Sequence, residues 1–536
     1  MLLLKWWWLV LTALATIFVG GMAAQSVYSG RVGEPQPGPP SSSSLPYWRT
    51  AGVSASSPTG ATPSRNIGVG LSSSSGADFS LDPYATIPVP WYGATSPEHD
   101  APSFTSVEIG DVSGDGRNDV VTIGYGVSSE SIAELLVYLQ KADGTLANAV
   151  RYPVDYDGYA FTALADFNED GVQDVVVAGM KNFTLFTSDG NAGLEVSNQP
   201  IFDPVELGAQ TPAMPMDVNR DGHMDLVFFL SRTHAGSSGF PTEETHSRLV
   251  IHFGDGLGGF AGRSSFKTFG VSQYDVEIAR SVATGDLNQD GTIDLAIRVE
   301  QFDYWAQRWK ALIRVYLTEE SGLVHGYDVD PVMETGHTYS SLYYIAIGDF
   351  NQDGRNDLAG SPFRTDSRLW VLHQSASQRF DQPPLVLGSQ PSGRALEVSD
   401  LDGTRSDDLL VAHDGQNRVT YHLQSSAQLG EPTTRAYSGG GASIGQTSLA
   451  VGDITGDGCA DAVVTMRYSG LQLLRGTNCS FRAPPLVVCR TAAPMESTTE
   501  VTQVQALGSI GGSASSPVPD ADGLVVARLQ DGQWVP

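Results

Sequence analysis

Cysteine is scarce: the 536 residues hold three, Cys459, Cys479 and Cys489. Three thiols are too few for a disulfide-dense scaffold. With no Cys-x-x-Cys pair, a thiolate zinc site and a thioredoxin-type dithiol are both unexpected. Basic side chains are also few, 31 Lys and Arg against 60 Asp and Glu, for a net charge of −29. Nucleic acid and anionic lipid demand a basic face, so neither is an expected partner. No segment sustains a 3.6-residue period, which argues against helical architecture. There is no His-Glu-x-x-His and no Gly-rich loop leading from a strand into a helix, so neither a metalloprotease nor a phosphate cradle is indicated. Apolar residues make up 41% of the chain, with 20 Phe, 19 Tyr and 9 Trp. That mass can bury a core, so disorder throughout is excluded.

The ends differ from the middle. Lys5 precedes an apolar run from Trp6 to Val19, followed by Gly20, Gly21, Ala23 and Ala24. A charged, then apolar, then small-residue order is that of a secretory signal peptide, here residues 1–24, with no membrane insertion once it is cleaved. The alternative is an uncleaved anchor, for which about 14 residues fall short of a ~30 Å hydrocarbon core. Residues 25–80 are rich in Ser, Gly and Pro and read as a flexible spacer. Residues 491–536 form a second Ser/Gly-rich tail, whose last stretch offers one short strand. The expected location is therefore secreted or extracytoplasmic.

Between the tails one loop recurs seven times, starting at Asp111, Asp166, Asp217, Asp286, Asp349, Asp400 and Asp453. The intervals are 55, 51, 69, 63, 51 and 53 residues. A period of that size means a stacked or radial repeat. Oxygen-bearing side chains recur at positions 1, 3, 5 and 9, with Gly at position 6 in all copies but one. Alternate residues of a tight loop turn toward a common centre. Carboxylates crowded there repel unless a cation lies between them. A hard cation taking 6–8 oxygens at about 2.3–2.6 Å suits the crowd, with the position 7 carbonyl as a further ligand. Calcium is favoured over magnesium, which prefers to keep water in a strict octahedron.

The expected ligand sets follow. The first loop offers Asp111, Ser113, Asp115, Arg117 and Asp119, the second Asp166, Asn168, Asp170, Val172 and Asp174. The third offers Asp217, Asn219, Asp221, His223 and Asp225, the fourth Asp286, Asn288, Asp290, Thr292 and Asp294. The fifth offers Asp349, Asn351, Asp353, Arg355 and Asp357, the sixth Asp400, Asp402, Thr404, Ser406 and Asp408. The seventh offers Asp453, Thr455, Asp457, Cys459 and Asp461. The position 7 residues, Arg117 to Cys459, enter through their carbonyls alone. Up to seven Ca²⁺ are expected. The sixth site should be weakest, because Thr404 replaces Asp and Arg405 replaces Gly. Seven calcium ions would take the net charge from −29 to −15. An EF-hand is the rival, but it requires Glu at position 12 and flanking helices. Position 12 is Thr122, Val177, Phe228, Ile297, Gly360, Val411 or Val464. Runs such as SVEIG before and VVTIG after the first loop read as strands.

On these loops the chain resembles the FG-GAP/VCBS repeat family of integrin α propellers and exported bacterial proteins, closer to the bacterial VCBS form. The resemblance covers about Phe104 to Arg490. It implies an all-β, seven-bladed propeller of four-stranded antiparallel blades, residues 81–490, each loop joining a blade's first two strands. Closure of the ring removes open sheet edges. YATIPVP, from Tyr84, is expected to pair with the last blade, for which PPLVVC from Pro484 offers another outer strand. Cys459 and Cys479 then fall at the same end of the seventh blade. A bridge between them is expected, with Cys489 unpaired; three buried thiols are the alternative.

Catalytic signals are weak. Gly441–Gly445 spells G-x-S-x-G around Ser443, but no helix follows, so a turn is expected. The aromatic stretch Tyr304–Trp309 suits either sugar stacking or packing between blades. The first functional reading is a monomeric, non-enzymatic adhesion module for extracellular protein or glycan. The second is a polysaccharide lyase or glycoside hydrolase, and the third a scaffold for a domain on another chain.

Overall fold

Short period-two runs flank every Asp-rich loop, and in the computed structural model each run is a strand. The structure describes residues 79–87, 103–125, 133–154, 160–179, 183–188, 190, 193–197, 208–209, 211–232, 246–269, 276–303, 308–329, 342–362, 367–437, 446–466, 470–479, 528–530 and 533–535. The N-terminal apolar run, most of the spacer, Tyr304–Gln307, Gly441–Gly445, PPLVVC and Cys489 lie outside these.

The first blade shows the plan. Ser103–Gly110, Asp119–Tyr125, Ala133–Tyr138 and Val150–Val154 pair antiparallel in chain order. The calcium-type loop joins the first strand to the second. The innermost strands of the next blades are Phe161–Ala165, Met214–Met216, Val276–Gly285, Leu342–Gly348, Gly393–Ser399 and Leu449–Gly452. The third blade departs from four strands: its inner strand is split, Gly208–Ala209 and Met214–Met216 both pairing with Asp225–Arg232. Pro212 and Pro215 flank or occupy that edge, and a proline donates no ladder hydrogen bond.

Ser80–Ile87 closes the ring. It pairs antiparallel with Gly470–Thr477 as the outer strand of the seventh blade, from Ser80 opposite Thr477 to Ile87 opposite Leu471. An N-terminal strand thus completes a C-terminal blade, and the place that PPLVVC was a candidate for is taken.

The core lies between blades. Seven apolar clusters fill the seven interfaces between successive blades, the last joining Ala450, Val463 and Leu473 to Phe104, Val107 and Leu136 of the first blade. The second strands are consequently buried on both faces, as in Asp174–Ala178, whereas the outer Val150–Val154 is largely exposed. Each cluster also holds the position 2 residue of one loop: Val112, Phe167, Val218, Leu287, Phe350, Leu401 or Ile454. The loop is nailed to the core by an apolar plug, burying roughly 1.5–3 kcal/mol of side chain per copy.

Cys459 and Cys479 form a disulfide with Cα atoms 5.6 Å apart, tying the seventh loop to the end of Gly470–Thr477. Near the C-terminus Arg528–Gln530 pairs with Gln533–Val535, a two-stranded hairpin rather than one strand.

Candidate metal centre

All seven loops share one backbone path. The position 6 N–H donates to the Oδ2 of the position 1 aspartate in every copy, from Gly116 to Asp111 at 2.7 Å to Arg405 to Asp400 at 2.9 Å. Position 6 is left-handed throughout, including Arg405 at φ 65°. Position 4 is left-handed as well, and there Glu169, Arg220, Gln289 and Gln352 stand in four loops where Gly114, Gly403 and Gly456 stand in three. A side chain at such a φ costs on the order of 1–2 kcal/mol, which the surrounding hydrogen bonds must offset. The sixth loop has exchanged its glycine from position 6 to position 4 without changing course. The loss of glycine that marked it as weak is therefore absorbed by the backbone.

Position 9 is the most buried part. Asp119, Asp174, Asp225, Asp294, Asp357, Asp408 and Asp461 are all wholly inaccessible. In every copy Oδ1 accepts a backbone N–H at the end of the blade's third strand, as from Gln140 at 2.9 Å and Gln424 at 2.7 Å. In six copies Oδ2 accepts the position 2 N–H. In the fifth, His373 Nδ1 lies 2.8 Å from Asp357 Oδ2 instead. Burial pushes these carboxyls up, to about 6 for Asp119, Asp225 and Asp461, about 7 for Asp174 and Asp294 and about 8 for Asp408. The neighbouring loop carboxylates add to the rise and the N–H donors oppose it.

The loops differ at position 5. Asp115 and Asp353 are ion-paired with Arg117 and Arg355 of their own loops. Asp290 lies 2.6 Å from Arg220 of the preceding blade, and Asp457 lies 2.6 Å from Arg475. Asp170 and Asp221 accept from Asn168 and Asn219. The sixth loop has no carboxylate there, and Thr404 Oγ1 lies 2.5 Å from Ser406 Oγ. Its third carboxylate is Asp402, at position 3. Oxygens of Asp400, Asp402 and Asp408 all lie within 4.8 Å of one another, the only such acidic group of three among the described residues. No basic side chain pairs with them there, and Asp400 Oδ1 is buried without a hydrogen bond. Burial raises Asp400, and Asp402 adds to that rise. Three crowded carboxylates with an orphaned oxygen fit a hard divalent cation.

Of the ligand sets expected from sequence, the sixth loop alone brings three carboxylates within 4.8 Å of one another among the described residues; in the other six the position 5 aspartate is paired with an arginine or an asparagine. The basic partners at position 5 were not foreseen: Arg117 and Arg355 were read only for their carbonyls, and Arg220 and Arg475 lie farther off in sequence. Position 8 carries a second unforeseen role: Asn118 donates to the Asp453 carbonyl at 3.2 Å and Asn356 to the Asp286 carbonyl at 2.8 Å. Each bond joins a loop to its neighbour around the ring. Recurrent Asn, Gln or Asp beside position 9 was the available signal.

A family model described as an FG-GAP-like repeat matches residues 111–177, 166–228 and 400–464. Each match runs from the first aspartate of one loop to position 12 of the next. Integrin alpha-7 of Homo sapiens is 30% identical over 153 residues, 27% of this chain. Integrin alpha-IIb of Homo sapiens is 32% identical over 170 residues, 28% of this chain. The chain spans only 13% and 16% of those two integrins' lengths. Among solved structures, an Agrocybe aegerita lectin recognising non-reducing terminal N-acetylglucosamine matches at TM-score 0.43 and 19% identity, over 63% of this chain and 80% of the lectin. A rhamnogalacturonan lyase of Bacillus licheniformis matches at TM-score 0.38 and 13% identity, over 75% and 76%. Neither likeness bears on what this chain binds.

Proposed function

We propose that this chain, which carries FG-GAP-like repeats on a seven-bladed propeller, is an exported, calcium-binding adhesion or recognition module without chemistry of its own. Residues 1–24 direct export, residues 25–80 are a flexible spacer ahead of the propeller, and the ring works as a monomer on extracellular protein or glycan. Calcium is held at positions 1, 3, 5 and 9 and by the position 7 carbonyl. In the sixth loop the set is Asp400, Asp402, Thr404, the Ser406 carbonyl and Asp408. The bound ion supplies positive charge where buried carboxylates crowd, and so couples metal to folding.

The observation that carries this reading is that the acidic loops serve the fold: in every copy the position 1 and position 9 aspartates accept backbone N–H groups of their own blade. A disulfide in the seventh blade suits an oxidising compartment. The test is a panel of glycans, polysaccharides and extracellular proteins, offered to the purified chain with and without chelator. Retention of a ligand that EDTA abolishes, with no product released, supports the reading. Release of sugar products would replace it with the lyase or hydrolase reading.

A further inference from the structure

Four inner strands carry a β-bulge at the same depth, six residues before the first loop aspartate. The extra residue is Thr105 in the first blade, Arg280 in the fourth, Tyr343 in the fifth and Arg394 in the sixth. A bulge re-aims a side chain, and bulges gather beside functional sites. Here three successive blades use it to place two guanidiniums and a phenol at the inner rim of the ring, well away from the acidic loops.

The three are linked through their neighbours. Arg280 Nε lies 2.8 Å from Glu300, whose other oxygen lies 2.8 Å from Arg298. The Arg298 guanidinium sits 4.8 Å from the centre of the Tyr343 ring, and Tyr343 packs on Tyr344 at 4.9 Å. Tyr344 Oη is 3.4 Å from Arg394 Nη1, and Arg394 Nη2 is 2.9 Å from Asp414. The array is rigid, built on strands, and half-exposed at Arg280, Tyr343 and Arg394. It holds three arginines against two carboxylates, within a chain of net charge −29. Donors remain unspent: both Nη groups of Arg280 and Nε of Arg394 have no partner among the described residues. Toward the loop end the floor is shut. Gln446, from the seventh blade, reaches across the axis to the fourth, its Oε1 3.1 Å from Ser281 Oγ and 3.3 Å from Val282 N.

We propose that this rim, Arg280–Tyr343–Arg394, binds an acidic sugar, a hexuronate unit within a longer glycan. The unspent guanidinium N–H groups match a carboxylate, which arginine engages in a planar fork. Tyr343, half-exposed and packed against Arg298 and Tyr344, adds an aromatic surface beside that charge. An aromatic borne on a strand between two guanidiniums suits an acidic saccharide better than an acidic peptide, which would offer carboxylates but no ring. The inference rests on the binding-module reading above and names its ligand class.

The test uses the full chain with calcium bound. Trisaccharides of glucuronate, galacturonate and mannuronate are titrated beside their carboxyl-reduced neutral counterparts. At least one acid form should bind tenfold or more tighter than its reduced partner. Arg280→Gln and Arg394→Gln should each cost that ligand at least tenfold while the melting temperature holds. Equal binding of acid and neutral forms, or no binding of any of the six, overturns the assignment even if the variants misfold. So does a preference for the acid form that both variants retain. A neutral glycan or a protein captured on the wider panel would then leave the adhesion reading standing without this site.

Discussion

The first and sixth loops follow one backbone and distribute charge in opposite ways. In the first, Asp115 is drawn off by Arg117, so the loop carries its own counter-charge. In the sixth, Asp400, Asp402 and Asp408 face one another with no basic partner among the described residues. The first loop spends a proper glycine at position 6; the sixth accepts Arg405 at φ 65°. Two requirements therefore separate. The backbone turn is enforced by the buried plug and by the hydrogen bonds to positions 1 and 9, and it tolerates a wrong residue. The charge balance is met by an arginine in one loop and demands an external cation in the other.

The largest test of this contrast is removal of all metal. A site held at a hundredfold excess over its Kd adds about 2.7 kcal/mol. Loss of several such sites should lower the melting temperature by about 10 °C or more, read by calorimetry with and without EDTA. The drop should grow with pH. The position 9 carboxyls have folded pKa values raised to about 6–8 from 3.8. The metal-free fold then binds more protons than the unfolded chain at pH 5, so its stability falls as pH rises through 8. The calcium-loaded protein, its carboxylates neutralised, should show little of that fall.

Next in size is the shared plug. Leu401→Ala should cost about 2–5 kcal/mol by leaving a cavity between the sixth and seventh blades, and Val112→Ala less, in urea unfolding. Both losses should persist in EDTA. A cost that vanished without calcium would mean that the ion, not the core, sets the turn. Asp402→Asn should act on charge alone, weakening calcium at the sixth loop by about tenfold, near 1.4 kcal/mol, while stabilising the metal-free protein. Asp115→Asn should do neither to that extent, because Arg117 already answers Asp115. Smallest is Arg405→Gly, which should gain about 1 kcal/mol by relieving the left-handed arginine.

Much of this was legible from residue order. Seven loops at a period near 55 imply a radial repeat, and the alternating runs beside them imply four antiparallel strands per blade. The chain's own N-terminal strand opposite Gly470–Thr477 follows from the need to leave no open edge. What sequence could not rank was the loops. Motif resemblance weighs Gly at position 6 heavily, yet Arg405 adopts a left-handed φ there, as Glu169 and Gln352 do at position 4, when the flanking strands and plug insist. Ion pairing at position 5 is local for Asp115 and Asp353, but for Asp457 it needs the blade's third strand and for Asp290 it needs Arg220 of the neighbouring blade, which only the folded chain brings near. The bulges that set Arg280, Tyr343 and Arg394 at one level leave no trace in apolar periodicity, because a single extra residue shifts the register within a strand already alternating.

The central claim is that divalent cations stabilise this ring by neutralising buried aspartates. Native mass measurement of the chain, titrated with calcium after chelation, tests it most directly. The account predicts several bound Ca²⁺ per chain, up to seven, with one of them bound about tenfold more weakly in Asp402→Asn. A mass equal to the bare polypeptide in calcium, with a melt unmoved by EDTA, would contradict it.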